Sequence, residues 1–313
     1  MISSFAATIG FFDGVHLGHQ FLIDCLKHEA QQRGLRSMVV TFGEHPRKVL
    51  CPDWHPQLLS TPEEKVALLR AMGVDEVVVL PFSKEMARLS ARAFMQQVLK
   101  EQLGVTLLLT GYDNRFGHNR EEGFDDYVAY GREMGMEVLA AKPLKQGDGC
   151  YSSSMVRRLL TEGDVAGARQ CLGRPYSLSG HVEHGEQIGR QLGFPTANIV
   201  LDNQEKLIPC NGVYAVGIKS VNLTSPGGMN PPLGGMMNIG QRPTFGGHRT
   251  TLEVHILGYQ GDLYGKSIDI EFVERLRDEQ HFESAEALVK QMEEDARRTR
   301  IILDHSNFAV SLR

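Results

Sequence analysis

The chain has 313 residues, of which 42% are hydrophobic and 23% charged, values typical of a soluble globular protein long enough for two domains. Its formal net charge of −5 argues against non-specific nucleic-acid binding, which needs a basic face. No apolar stretch approaches the length of a membrane span and no signal peptide pattern opens the chain, so we expect neither membrane insertion nor secretion.

The five cysteines are scattered along the chain and form no Cys-x-x-Cys pair. An odd number without regular spacing predicts reduced thiols rather than a disulfide framework, and therefore a cytoplasmic protein. They are Cys25, Cys51, Cys150, Cys171 and Cys210.

Residues 5–19 predict a buried strand, a glycine-rich turn and the start of an amphipathic helix. Glycines let the backbone approach a ligand closely, and the N–H groups that open a helix attract phosphate. His16 and His19 are spaced to offer two imidazole donors to the same phosphates, and Asp13 is placed to hold the turn by bonding its own backbone. Two interpretations compete with a phosphate site: a pair of surface histidines and, more weakly, a two-histidine metal site.

The first half continues as apolar strands that alternate with helices. The predicted strands after the first are 36–42, 75–80, 105–110 and 136–140, and the predicted helices are 20–33, 61–73, 91–103 and 123–134. Thr61, Pro62 and Glu64 have the pattern of a helix start with a capping box. This alternation predicts a doubly wound α/β domain with a parallel sheet, whose ligands bind at the carboxyl ends of the strands.

Three sequence clusters fall at predicted strand ends or helix starts. Residues 41–46 (Thr-Phe-Gly-Glu-His-Pro) follow the second strand, and residues 110–117 (Thr-Gly-Tyr-Asp-Asn-Arg-Phe-Gly) follow the fourth. Residues 151–157 (Tyr-Ser-Ser-Ser-Met-Val-Arg) place serines at a helix start with an arginine one turn later, which suits phosphate oxygens. A plain loop and a serine-rich helix cap without function are the alternatives.

The second half changes character after a short helix predicted over 164–172. Short β-branched or aromatic segments separated by Gly, Pro and Asn turns predict an antiparallel six-stranded β-barrel, closed by a C-terminal helix over 284–302. The predicted strands are 176–184, 196–200, 212–219, 235–239, 250–257 and 267–273. We therefore expect two domains, residues 1–175 and 176–313.

The stretch 180–198, Gly-His-Val-Glu-His-Gly-Glu-Gln-Ile-Gly-Arg-Gln-Leu-Gly-Phe-Pro-Thr-Ala-Asn, is the most specific of the chain. The alternative interpretation, without a binding function, is a glycine-rich hairpin. Thr196 and Asn198 lie two residues apart on an extended segment and so project the same way. Both carry hard oxygen atoms of the kind that Mg²⁺ prefers.

Gly-Phe-Phe-Asp-Gly-Val-His-Leu-Gly-His resembles the first motif of nucleotidyltransferases with His-x-Gly-His, most closely the adenylyltransferase half of bacterial bifunctional riboflavin kinase/FAD synthetases. The clusters at 41–46, 110–117 and 151–157 resemble later motifs of that half, although Glu44 and Asn114 depart from the pattern. The stretch 180–198 resembles the riboflavin kinase motif, as do segments 238–245, 252–255 and 275–282. The resemblance covers about residues 7–300, in the family order.

This resemblance implies a Rossmann-like nucleotidyltransferase domain followed by a riboflavin kinase barrel, and it assigns the site residues. It implies catalytic roles for His16, His19 and Glu253, the last as the base for the attacking hydroxyl, and it places Mg²⁺ on Thr196 and Asn198. It implies nucleotide or flavin binding by Gly10, Phe11, Phe12, Asp13, Gly14, Gly18, His45, Asp113, Arg115, Gly117, Ser152, Ser153, Ser154, Arg157, Gly185, Arg190, Gly193, Pro195, Asn238 and Arg277.

The implied activity is two-step FAD synthesis: ATP phosphorylates riboflavin to FMN, and a second ATP then adenylylates FMN to FAD with release of pyrophosphate. The expected partners are these small molecules, without nucleic acid or membrane, and the expected state is a monomer or weak homo-oligomer. Two alternatives stay open. One is a riboflavin kinase with a degenerate first domain, suggested by Glu44 and Asn114, and the other is a non-catalytic flavin-binding regulator.

Overall fold

The computed structural model describes residues 4–51, 53–112, 114–146, 149–185, 189, 192–219, 233–244 and 247–306. Contacts within the chain divide it into two compact units, Met1–Ser153 and Ser154–Arg313. The division falls before the expected boundary at residue 175. The reason is that two helices before the barrel belong to the same compact unit as the barrel. The functional boundary stays a prediction.

The first unit is built on a five-stranded parallel sheet with strand order β3-β2-β1-β4-β5. Its strands are β1 (Phe5–Ile9), β2 (Arg36–Phe42), β3 (Glu76–Leu80), β4 (Val105–Thr110) and β5 (Glu137–Ala140). The central strands are almost continuously apolar and buried, as strands covered on both faces must be. The predicted doubly wound α/β domain is confirmed.

Helices cover both faces of this sheet and give two separate apolar cores. They are α1 (Leu17–Arg33), α2 (Pro46–Leu50), α3 (Pro62–Ala71), α4 (Lys84–Ala87), α5 (Ala91–Ala93, continuing as a π-helix over Phe94–Gln102) and α6 (Phe124–Met134). On one face Ile23 and Leu26 of α1 pack with Leu69 of α3, and on the other Leu99 of α5 packs with Tyr127 of α6. A two-stranded ribbon, β6 (Lys145–Gln146) and β7 (Gly149–Cys150), completes the unit.

Strand β1 lies between β2 and β4, so the chain leaves it first on one side and later on the other. Such a switch point opens a crevice at the carboxyl ends of the strands. The loops after β1, β2 and β4 therefore emerge side by side. These are the loops that carry the first histidine turn and the clusters at 41–46 and 110–117.

The second unit is a closed antiparallel barrel with the strand order β10-β11-β12-β9-β8-β13, which confirms the six-stranded prediction. Its strands are β8 (Tyr176–Glu183), β9 (Ala197–Leu201), β10 (Gly212–Lys219), β11 (Leu233–Thr244), β12 (Gly247–Ile256) and β13 (Ser267–Arg277). Two helices precede them, α7 (Ser153–Glu162) and α8 (Val165–Leu172), and α9 (Ala285–His305) follows. No helix in the described ranges is long and apolar enough to cross a membrane.

Strands β11 and β13 are longer than predicted, and the pairing of β11 with β12 continues beyond the predicted end at residue 239, through residues 240–244. The reason is that backbone pairing continues after the apolar run ends, which a residue pattern does not reveal. Strand β8 alternates buried and half-buried residues up to the exposed Glu183, whereas β10 is buried along all but its last residue. Helix α9 accounts for this difference, because Ile302 packs against Val213 and Ala215 on the outside of β10.

Candidate active sites

The turn after β1 holds an unusual backbone conformation. Three residues of the turn have positive φ angles: Phe12 (55°), Gly14 (76°) and Val15 (40°). Residues with a side chain rarely adopt this left-handed region, and the β-branched Val15 is strained most there. Such strain persists only where surrounding contacts impose it, and it is typical of ligand sites. The turn is therefore held in place by the rest of the unit.

Those contacts come from a distant segment. The Asp13 carboxylate accepts hydrogen bonds from the backbone N–H of Leu59 (3.0 Å) and Ser60 (3.0 Å), and Ser60 Oγ accepts one from Gly14 N–H (3.0 Å). Asp13 thus ties the turn to the segment that leads into α3, and the expected bond to its own backbone stays a prediction. Asp13 is buried, 3% exposed, and its acceptors meet the donors that enclose it.

His16 and His19 lie at the start of α1 with their rings stacked at a centroid distance of 3.6 Å. His16 Nδ1 accepts a hydrogen bond from the His19 backbone N–H and so caps the helix. In the neutral ring the proton of His16 is therefore on Nε2, which makes that atom a donor. The structure thus brings the two histidines together, as predicted.

The His19 ring is almost surrounded by protein. Its Nδ1 is buried without a hydrogen-bond partner among the described residues, and its ring meets the edge of Phe12. Burial, followed by the charges of His16 and Lys65, lowers the pKa of His19 well below its usual value. His19 is therefore neutral near pH 7 and can offer a phosphate an N–H donor rather than a full charge.

Helix α1 begins with amide groups that suit an anion. Neither Leu17 N–H nor Gly18 N–H has an acceptor within the described part of the chain. Unpaired amides at a helix start, together with the helix dipole, stabilise phosphate. Gly18 allows this geometry because a Cβ there would meet the Tyr151 carbonyl at 3.0 Å and the His16 ring at 3.1 Å.

The loops after β2 and β4 are tied to the same strand ends. His45 meets the Phe11 ring at 4.5 Å and the Trp54 ring at 4.5 Å, and Arg47 lies over Trp54. Asn114, which departs from the family pattern, donates from Nδ2 to the Ile9 carbonyl at the end of β1. This departure therefore has a structural role, because it joins the β4 loop to the central strand.

The remaining predicted residues of the first unit are spread over the same loops. A Cβ at Gly117 would meet Ala91 N at 2.6 Å, so glycine is required there, and the Arg115 side chain is exposed. Ser153 Oγ donates to the Asp13 carbonyl (2.9 Å), which joins this one serine to the turn within the first unit. The half-buried Ser152 and Gly10 also belong to this unit, whereas Asp113 lies outside the described residues.

Ser154 and Arg157 fall in the second unit, on α7. They stand three residues apart, so they project from neighbouring positions of one helix face. Ser154 is exposed and Arg157 is half-buried.

In the barrel the strand register brings four predicted residues into one row. Asn198 of β9 is paired with Glu253 of β12, Glu253 with Asn238 of β11, and the row continues through Val213 to Arg277 of β13. Directly paired residues of antiparallel strands project from the same face at close range. Leu252, Val254 and Ile256 on β12 are buried, whereas Glu253 is half-buried, so the Glu253 side chain projects to the opposite, outer face.

Thr196 joins this group from the residue before β9. Its Oγ1 donates to Glu253 Oε2 at 3.4 Å. Gly185 lies against Asn198, and a Cβ at Gly185 would displace the Asn198 amide from its present position. One carboxylate and two neutral oxygen-bearing side chains are thus gathered on the outer face of the barrel.

Two further groups hold this cluster. His255 Nδ1 lies 2.8 Å from the Pro195 carbonyl, and the His255 ring meets the edge of Phe194. Arg277 forms an ion pair with Asp295 of α9 at 2.8 Å, so its guanidinium is directed to that helix. Gly193 has a φ of 84° in the turn before β9, and Arg190 lies outside the described residues.

Sequence reasoning missed several residues of both sites. In the first unit these are Leu59, Ser60 and Lys65, which no motif marks. The only signal was that Lys65 stands four residues before the buried Leu69, on the inner face of α3. In the barrel, His255 lies in segment 252–255, which resembles a riboflavin kinase motif, but the sequence pattern assigned it no role.

Comparisons with known proteins match both units. The FAD synthetase family matches residues 2–155, and the riboflavin kinase family matches residues 172–303. The chain is 38% identical to the bifunctional riboflavin kinase/FMN adenylyltransferase of Escherichia coli (strain K12), over 92% of this chain and 89% of that protein. It is also 38% identical to the Pseudomonas fluorescens protein of that name, over 90% and 88% of the two chains.

A solved structure from Streptococcus pneumoniae, described as a macrolide-efflux protein, has the same fold over almost the whole chain. The TM-score is 0.85 at 31% identity, with 96% of this chain and 95% of that chain covered.

Proposed function

The chain belongs to the family of bifunctional riboflavin kinases/FMN adenylyltransferases, and we propose that each of its two units carries one step of FAD synthesis with the residues described above. The enzyme transfers the γ-phosphate of ATP to riboflavin, giving FMN and ADP. It then transfers the adenylyl group of a second ATP to FMN, giving FAD and pyrophosphate. The observation that carries the assignment of residues is that each unit holds its own cluster of groups suited to one of these steps.

In the first unit, the phosphate groups of FMN and ATP meet at the start of α1. The FMN phosphate is already an anion and needs no base, so the protein positions it in line with the α-phosphorus and neutralises the charge that grows on pyrophosphate. The amides of Leu17 and Gly18 and the imidazoles of His16 and His19 supply these donors. Asp13 keeps them in place through its bonds to the segment before α3.

In the second unit, Glu253 accepts the proton of the ribityl 5′-hydroxyl as this oxygen attacks the γ-phosphorus of ATP. The cross-strand row places Glu253 between Asn198 and Asn238, which fixes its backbone on both sides. Arg277 is positioned by Asp295 rather than left mobile.

The oxygen atoms of Thr196 and Asn198 fit a Mg²⁺ ion that keeps several waters and takes its other ligands from ATP. The described residues contain no group of three or more His, Cys, Asp or Glu side chains that would hold a metal by themselves, and such a shared site needs none. When bound, Mg²⁺ neutralises phosphate charge during transfer. Thr196 Oγ1 and the Asn198 amide oxygen would hold it.

Nothing in the comparisons favours the kinase-only alternative, because both families match. Cys25, Cys51, Cys171 and Cys210 are free, as in proteins of reducing compartments, and we propose the cytoplasm as the location. The oligomeric state proposed is a monomer or weak homo-oligomer.

The function is tested by incubating the purified chain with riboflavin, ATP and Mg²⁺ and separating riboflavin, FMN and FAD by chromatography over time. We expect FMN to rise first and then to pass into FAD. Accumulation of FMN without FAD, under oxidising and reducing conditions alike, would restrict the activity to the kinase. No conversion would contradict both steps.

A further inference from the structure

Lys65 of α3 is a buried cation in the first unit. Only 2% of its surface is exposed, and its Nζ donates a hydrogen bond to the Phe42 carbonyl at 2.7 Å and lies 3.9 Å from the centre of the Phe11 ring. No carboxylate of the described residues lies within ion-pair distance of this ammonium. Burying an unpaired charge is costly, and an apolar side chain would fill the same space without that cost. The charge itself therefore needs an explanation.

The position of the ammonium supplies one. Phe42 is the last residue of β2 and Phe11 follows β1, so Nζ lies where these two strands end, behind the phosphate turn. The titratable groups that face it are Asp13 from the turn, whose charge favours the ammonium, and His19 from α1, whose pKa the ammonium lowers. From β2 it meets only the Phe42 carbonyl. Its field thus reaches the turn and the second histidine.

We propose that Lys65 is a positioning residue for adenylyl transfer, which fixes Phe11 and Phe42 at the strand ends and supplies a buried positive charge that favours the phosphates of FMN and ATP on the turn. The proposal rests on the proposed function of this unit. A buried positive charge without a carboxylate at ion-pair distance, in surroundings of low dielectric, acts on an anion more strongly than an exposed lysine does. Asp13 offsets this charge only in part, so bound phosphates would supply a further negative partner.

This charge is sensitive to pH. Burial lowers the pKa of Lys65 to about 8, against a usual value of 10.5, and Asp13 only partly opposes the shift. The ammonium is therefore mostly charged at pH 7 and is lost above about pH 8. We expect kcat/KM for conversion of FMN to FAD to fall as the pH rises through that value. Bound phosphates favour the charged form, so the fall in kcat should come at higher pH.

Three variants of the full chain separate the charge from the hydrogen bond. Lys65→Met removes both, Lys65→Gln keeps an N–H donor without the charge, and Lys65→Arg keeps the charge. We expect Lys65→Met and Lys65→Gln to lower kcat for FAD formation about tenfold or more. Lys65→Arg should retain the rate within a few-fold, and it should move the alkaline fall of kcat/KM upward by more than one pH unit.

Two controls show whether the effect is local. Riboflavin phosphorylation, measured in the same preparations, should be unchanged in all three variants. Lys27→Met removes another lysine whose Nζ donates to a backbone carbonyl, that of Met72 at 2.7 Å, but which is partly exposed on α1. It should leave both activities unchanged.

Two results would overturn the proposal. One is FAD formation by Lys65→Gln at the rate of the unsubstituted chain, and the other is an alkaline fall of kcat/KM at an unchanged pH in Lys65→Arg. If Lys65→Met does not fold, as judged by thermal unfolding, the pH profile of Lys65→Arg decides alone. If the unsubstituted chain makes FMN but no FAD, the proposed function of the first unit fails before any variant is compared.

Discussion

The two sites of this chain are assembled in different ways. In the α/β unit, groups from loops far apart in sequence meet because parallel strands end at one edge of the sheet, and side chains such as Asp13 then fix the backbone. In the barrel, Asn198, Glu253 and Asn238 meet because neighbouring antiparallel strands pair residue with residue. The first site depends on a few buried polar bonds, whereas the second depends on the register of a whole sheet.

The difference has a consequence for mutation. We expect a change at one supporting residue of the first site to loosen the strained turn, because the buried bonds of Asp13 and Ser60 help to hold Phe12 and Val15 in their conformations. The barrel register is held by many backbone hydrogen bonds, so we expect the loss of one supporting side chain to disturb that site less.

The largest expected effect is at Glu253. We expect Glu253→Gln, which keeps the shape of the side chain but removes the base, to slow FMN formation about 100- to 10,000-fold. Supplied FMN should still be converted to FAD. Glu274→Gln, an exposed glutamate on β13, is the control and should leave both rates unchanged. An equal loss of both activities in folded Glu253→Gln would contradict the assignment of one step to each unit.

The reciprocal test is His19→Ala. Losing a donor directed at the phosphates should slow FAD formation about 100- to 1000-fold, while riboflavin phosphorylation continues. His28→Ala, an exposed histidine on the same helix, is the matched control. Both rates are read from chromatographic time courses. FAD formation at the normal rate in His19→Ala would remove the histidine from the mechanism.

A smaller effect is expected from Asp13→Asn. The amide replaces an acceptor with a donor that faces the N–H groups of Leu59 and Ser60, so the turn should lose its support. We expect the first unit to lose about 1–3 kcal/mol of stability and FAD formation to fall about tenfold. Thermal unfolding measures the loss of stability and a chromatographic assay measures FAD formation. Asp24→Asn, a substitution at an exposed aspartate, is the control. Unchanged unfolding would show that the turn needs no such support.

The smallest effect concerns stability alone. Because the pKa of Lys65 is about 8 in the folded chain and 10.5 when unperturbed, the unfolded state binds more protons between these values. The contribution of Lys65 to the unfolding free energy should therefore rise from pH 8 to 10.5, by about 1–3 kcal/mol. Denaturant titrations at several pH values measure it, and Lys65→Met should lack this rise. An identical pH dependence in Lys65→Met would assign the rise to other groups.

Local patterns predicted most of the elements. Strands β2, β4 and β10 have the predicted bounds, and the capping box at Thr61 and the end of α1 at Gly34 were also predicted. These features depend on interactions between residues close in sequence. The extensions of β11 and β13 were missed, because pairing with a partner strand rather than side-chain type sets their ends.

The sequence by itself determined the motifs that indicate the family and the apolar patterns that predict the two folds. Only the tertiary structure decided that Asp13 bonds Leu59 and Ser60, that Asn114 bonds the end of β1, and that Lys65 lies buried behind the turn. The physical reason is that burial and hydrogen-bond satisfaction are settled between segments distant in sequence. A residue pattern records which groups are available but not which partners enclose them.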